Sequence, residues 1–293
     1  MQPNPILRKL GFAADDRVVI IHADDVGMCH ASLAAFAELA EFGLVSSGAT
    51  MTPCPWFPAV AAYCREHPAV DMGVHLTLNS EWDHYRWGPV STRDPASGLL
   101  DAEGYLWRSP TEVWAHADAA AGSAELAAQV EQALSAGIAA THIDTHMGTI
   151  AHPKFIFGYL DLARRHGLPA MIPRWDEAGW RAWGYDAEIA VQAAAAVRGL
   201  EEEGAPLVDA VIGLDLGTSD DRIARARAVL GGLPRGLTHF IIHPAQDTPE
   251  LRAITPDWRS RVADYEAFMS DELAAFVRDS GLHVIGYRAL AGK

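Results

Sequence analysis

Short apolar runs rich in β-branched residues alternate along this chain with longer stretches of helical spacing, and that rhythm constrains the fold more than any other feature. The candidate strands are 18–23 (VVIIHA), 46–53 (SSGATMTP), 71–78 (DMGVHLTL), 140–146 (ATHIDTH), 169–175 (PAMIPRW), 209–215 (DAVIGLD), 238–245 (THFIIHPA) and 283–289 (HVIGYRA). Between them lie SLAAFAELAEF, AELAAQVEQALSAG, PKFIFGYLDLARRHG and YEAFMSDELAAFVRDSG, several closed by glycine as helices often are. Repeated βα units build parallel sheets. Seven or eight of them in 293 residues predict an α/β fold of TIM-barrel type, an irregular (β/α) barrel of seven or eight parallel strands forming one domain over 1–293. An open doubly wound sheet is the alternative topology.

One segment breaks the rhythm. Residues 79–110 are polar and turn-rich and carry Trp82, Tyr85, Trp87, Tyr105 and Trp107. A long irregular insertion after a strand suits a functional loop, and exposed rings such as Trp82 would suit the apolar faces of sugars. The plainer alternative is that these rings pack the insertion onto the rest of the fold.

Charge narrows the partners. A formal net charge of −15 repels a phosphate backbone and an anionic membrane surface, which argues against nucleic acid and membranes, whereas a neutral sugar or a metal ion remains compatible. The three cysteines, Cys29, Cys54 and Cys64, show no zinc-type pairing and do not suggest a disulfide framework. No stretch approaches ~20 uninterrupted apolar residues, and the N-terminal sequence has no signal-peptide core, so a cytoplasmic protein is expected.

Polar residues collect where strands end. His22, Asp24 and Asp25 close the first strand, His75 lies near the end of the third, His142, Asp144 and His146 alternate along the fourth, and His239 and His243 belong to the seventh. In α/β folds the C-terminal strand ends form the active-site face. Residues two apart share a strand face, so His142, Asp144 and His146 can point together. Asp24 and Asp25 would point oppositely in a regular strand, unless the turn at Val26-Gly27 relaxes the alternation. Imidazole and carboxylate are standard ligands for Zn²⁺ and related cations, and a cation would relieve the repulsion between the two aspartates.

At these residues the chain resembles the YdjC/ChbG family of carbohydrate deacetylases. The matching stretches are IIHADDVGM, MGVHLTL, GLLDAEGYLW, ELAAQVEQALSAGIAATHIDTH and IIHPAQD, in that order. The resemblance implies a distorted (β/α) barrel, one divalent metal ion, and hydrolysis of an N-acetyl group from an amino sugar, typically a short chito-oligosaccharide. It further implies Asp25, His75 and His146 as metal ligands, Asp24 as general base and His243 as general acid.

Around that core, Asp144 would hydrogen-bond a ligand histidine or bind substrate, and His142 is the alternative to His146 if the strand register differs. Arg174 would orient Asp24 or bind substrate, against the simpler role of an ion-pairing arginine. His22 and His239 are expected to be structural or to support the ligands. Zn²⁺ or Mg²⁺ is the expected metal, with Mn²⁺, Co²⁺ and Ni²⁺ also compatible, and family analogy makes a homodimer an expected assembly. Two positions depart from the family pattern: Gly148 stands where a further histidine is common, and Ala245 follows His243-Pro244 where glycine is common.

Two other readings use the same residues. Similar His/Asp clusters hydrolyse other amides or phosphate esters, and a deacetylase-like fold can persist as a non-catalytic sugar-binding protein.

Overall fold

The computed structural model describes residues 3–291. Its strands are β1 (Arg17–Val26), β2 (Ser47–Thr50), β3 (Met72–Leu76), β4 (Ile143–Thr145), β5 (Ala210–Gly213), β6 (Gly236–Ile242) and β7 (Leu282–Val284). They form one parallel sheet of order β4-β3-β2-β1-β6-β5, with β7 alongside β1. The sheet curls into a half-barrel. β1 is its centre: one edge pairs with β6 from Arg17 to Ala23, while the other takes β7 at Arg17–Val19 and then β2 from His22 to Val26. Helices cover such a sheet on its outer side, which is why Val18, Val19, Ile20 and Ile21 form an unbroken apolar run and are all fully buried. Each of those side chains contributes roughly 1.5–3 kcal/mol by leaving water.

The eight expected strands become seven. Segment 169–175 makes only isolated bridges, Ala170 to Ile143 and Pro173 to Val208. Its two prolines, Pro169 and Pro173, have no N–H to give a continuous ladder, and the curled sheet stands open there. The last expected strand also ends early, at Val284. Gly286 packs against Ser46 and Asp71, and Asp71 accepts the backbone N–H of Arg288 at 2.6 Å, which favours the short helix Tyr287–Leu290. The long helical pattern before it divides into Trp258–Phe268 and Asp271–Asp279, because Ser270 caps the second helix by accepting from Glu272 N.

The insertion is ordered and pinned. Buried Glu125 on helix Ala119–Ser135 accepts the backbone N–H groups of Val90 and Ser91 at 2.9 and 2.7 Å. Trp87 donates its indole N–H to Asn79 O, and Tyr85 its hydroxyl to Met28 O. Trp82 and Trp87 are buried, with ring centroids 5.4 Å apart. Trp82 is thus packed rather than exposed, the residue being 7% accessible with the Arg261 guanidinium 5.6 Å from its ring centroid. No helix among the described residues is long and apolar enough to cross a membrane.

Candidate active site

All strands run parallel, so their C-terminal ends share one edge of the sheet, and Asp24, Asp25, His75, His146 and His243 gather there. The adjacent aspartates face the same place because β1 is irregular. Its register to β2 shifts between Ala23 and Val26, and Asp25 itself adopts a left-handed backbone at φ 60°. The relaxation thus falls at Asp25, ahead of the Val26-Gly27 turn. A non-glycine residue there costs roughly 1–2 kcal/mol. Arg261 offsets this, donating to Asp25 Oδ2 at 2.7 Å with both groups buried.

Three donors converge. His146 Nδ1 lies 3.1 Å and His75 Nε2 3.4 Å from Asp25 Oδ1. Asp25 Oδ1 and His75 Nε2 are buried, and neither makes a hydrogen bond of good geometry. Leaving such atoms unsatisfied costs about 1–3 kcal/mol each. The outer nitrogens of both imidazoles are occupied, His75 Nδ1 by Asp144 Oδ1 at 2.9 Å and His146 Nε2 by Glu81 Oε2 at 3.1 Å. A histidine ligand ordinarily gives its far N–H to a carboxylate in this way, which aims the near lone pair at the metal.

The donor set therefore fits a small divalent cation, whose neighbouring ligands stand about 3–3.5 Å apart. His146 belongs to a 3₁₀ segment, His146–Ala151, directly after β4, yet keeps the expected face. His142 lies deeper in the fold, its Nε2 2.9 Å from His22 Nε2 and its ring stacked on Tyr287. Its ring also explains Gly73, where a Cβ would meet the imidazole at 2.3 Å.

The electrostatics fit the same reading. Burial alone would push His146 down, but Glu81 and Asp25 overcome it and raise the group to about 9. His75 is likewise raised well above the usual range, against burial, by Asp144 and Asp24. Burial alone would raise Asp25, yet Arg261 and His146 hold it well below the ordinary carboxylate range. Without a metal, protons on the histidines compensate the carboxylates. A cation would take their place.

Asp24 stands beside the triad. Its Oδ1 lies 2.8 Å from His22 Nδ1, and its Oδ2 lies 3.8 Å from both His75 Nε2 and His243 Nε2. Burial opposes its charge, but His75, His22 and His243 keep it below the usual range. Behind it a hydrogen-bonded series runs inward from His22 to His142, Thr141 and Asp71. His239 shares this layer, accepting from or donating to Tyr287 OH at 2.9 Å. His243 is partly exposed, and its backbone N–H is held by Asp264 Oδ2 at 2.9 Å, itself paired with Arg222.

Arg174 is not brought to Asp24. It pairs with Glu201 and with Asp209, and Asp209 also accepts from Leu237 N at the start of β6, the opposite edge of the sheet. The guanidinium at the aspartates is Arg261, which the sequence pattern did not single out, since nothing local distinguishes it on helix Trp258–Phe268. Glu81 was missed likewise. Its place two residues after Asn79, beyond a strand end, was the available signal.

Fold and site together define a class: α/β proteins whose curled parallel sheet gathers a buried cluster of carboxylates and imidazoles, able to hold a cation, at its C-terminal edge. The profile of the YdjC-like protein family matches residues 18–279, and the chain belongs to that family. It is 31% identical over 285 residues to a carbohydrate deacetylase of Thermus thermophilus, covering 97% of both chains. A carbohydrate deacetylase of Thermoanaerobacter pseudethanolicus is 24% identical, with 94% of this chain and 99% of that one covered. Among solved structures, a candidate cellobiose-phosphate cleavage protein of Enterococcus faecalis shares the fold. Its TM-score is 0.74 at 21% identity, over 94% of this chain and 99% of that one.

Proposed function

We propose that this protein is a metal-dependent hydrolase that removes N-acetyl groups from amino sugars, with short chito-oligosaccharides as the typical substrate. The observation that carries the reading is the pair of buried donors without well-formed hydrogen bonds, Asp25 Oδ1 and His75 Nε2, turned toward His146 Nδ1 with Asp24 and His243 alongside. The names of the relatives at 31% and 24% identity support the sugar deacetylase chemistry.

Asp25, His75 and His146 would hold the metal, with Zn²⁺ or Mg²⁺ the first candidates and Mn²⁺, Co²⁺ or Ni²⁺ alternatives. Such an ion supplies Lewis acidity and lowers the pKa of water toward neutrality. Asp24, with Oδ1 anchored by His22, presents Oδ2 to take the proton of the attacking water. His243, 3.8 Å from that oxygen, would protonate the departing amine. Asp144 and Glu81 fix the imidazole orientations. We read the open sheet as an irregular (β/α) barrel, and the protein as cytoplasmic, acting on small sugars as a monomer or homodimer.

The test is acetate release from N-acetylated chito-oligosaccharides by metal-stripped protein, with one divalent cation restored at a time. Asp24→Asn is expected to keep the metal and lose turnover by about 10²–10⁴. A fully active Asp24→Asn protein would refute the assigned base.

A further inference from the structure

Where the curled sheet stands open, between β4 and β5, lies a cavity of about 270 Å³ walled by Ile150, Ile172, Ile241, Trp175 and Trp180. It adjoins the reaction face. Thr145 and Met147, the two chain neighbours of His146, both line it, and Ile241 stands on β6 between His239 and His243. None of Asp24, Asp25, His75, His146 or His243 belongs to its wall, so a group held here stands beside the reacting carbon. The rim is exposed and apolar: Met147 and Trp183 are 51% and 55% accessible, unusual for such side chains.

Both rim residues are fixed in place. Met147 keeps a left-handed backbone at φ 52°, unfavourable for a residue with a side chain, and its sulfur receives Asn79 Nδ2 at 2.8 Å. Trp183 is braced from behind, its ring centroid 5.5 Å from that of Trp175, which lies 5.3 Å from that of Trp180. Gly148 keeps the approach open, since a Cβ there would already touch the Trp183 ring at 3.6 Å. Such a platform suits an amphipathic ring. A pyranose with equatorial substituents, such as β-linked N-acetylglucosamine, has apolar C–H faces and a polar edge. One face can lie on an indole, while the hydroxyls stay at the open mouth and are not buried unpaired. Three indoles also carry N–H donors, and that of Trp180 is buried without a partner. Small-ligand pockets span about 300–1,000 Å³, so a space of about 270 Å³ takes one ring rather than several.

Resting on the deacetylase reading above, we propose that the Trp183 ring and the cavity behind it bind the pyranose adjacent to the one that loses its acetyl group. Trp183 is then a specificity-determining residue, through which the protein tells an oligosaccharide from a single amino sugar. Binding energy gained on the ring that does not react holds the scissile amide against the reaction face.

The experiment uses full-length, metal-reconstituted protein and compares acetate release from N-acetylglucosamine, its β-linked disaccharide and its trisaccharide. Native protein should favour the disaccharide over the monosaccharide in kcat/KM by about tenfold or more, equivalent to ~1.4 kcal/mol, and the third ring should add less than the second. Trp183→Ala, at an exposed position, should cut the disaccharide-to-monosaccharide ratio about tenfold. Trp183→Phe retains a flat face and should keep most of the preference. Independently of turnover, titrating metal-free protein with the disaccharide should change its tryptophan fluorescence, and Trp183→Phe should lose most of that change.

An unchanged ratio in folded Trp183→Ala protein would overturn the subsite while leaving the hydrolase intact. So would native protein that deacetylates the monosaccharide as well as the disaccharide. No acetate from any of the three sugars, together with a fluorescence change that Trp183→Phe loses, would remove the hydrolytic reading and keep the sugar site. Absence of both signals would remove the two together.

Discussion

Metal binding at Asp25, His75 and His146 should release protons. His146 is raised to about 9 in the metal-free protein by Glu81 and Asp25, against the opposing effect of burial. At pH 7 it is then about 99% protonated, and a cation taking its Nδ1 lone pair must displace that proton at roughly 3 kcal/mol. The sign follows directly: apparent affinity climbs about tenfold per pH unit from this group alone between pH 7 and 9, and levels above it. His75, also raised well above the usual range, adds a second proton and steepens the climb.

Isothermal titration calorimetry of apo-protein at pH 7, in buffers of differing ionisation enthalpy, counts the protons from the slope of enthalpy against buffer. The expected count is near two. In Glu81→Gln, which keeps an acceptor for Nε2 but removes the strongest raising charge, the count should fall toward one. A count near zero in the native protein, or affinity flat between pH 6 and 8, would refute the electrostatic argument.

Arg261→Met leaves Asp25 as a buried carboxylate without its partner, which should lower stability by about 3–5 kcal/mol in urea unfolding and weaken cation binding together. Gly73→Ala drives a methyl into the His142 ring, 2.3 Å from the Cβ position. A loss of about 1–3 kcal/mol by denaturant titration is expected, and a neutral result would mean that His142 can move aside. His22→Ala removes one of the groups holding Asp24 below the usual carboxylate range. The acid limb of the pH–rate profile should then move to higher pH, and an unmoved limb would show that His22 does not act on the base.

Local pattern was enough for the βα order and for the polar strand ends, because both are written in neighbouring residues. Strand period two put His142, Asp144 and His146 on one face, and the alternation of strand and helix implied a parallel sheet whose C-terminal edge would collect them. Where side-chain chemistry overrode the pattern, sequence reading went astray. Pro169 and Pro173 turned an apparent strand into two isolated bridges, and the contact of Gly286 with Asp71 ended the last strand at Val284.

Local residue order carries the identity of the donors and the kind of fold that could assemble them. Tertiary structure decided who faces whom. Arg261 reaches Asp25 across 236 positions of sequence, Glu81 reaches His146 across 65, and Arg174 turns to Glu201 and Asp209 at the far edge of the sheet. Such pairings depend on sheet order, helix placement and the left-handed backbone at Asp25, all fixed by packing over the whole chain. Periodicity reports the direction a side chain leaves its own strand. The group it meets there is set by chain segments tens to hundreds of residues away.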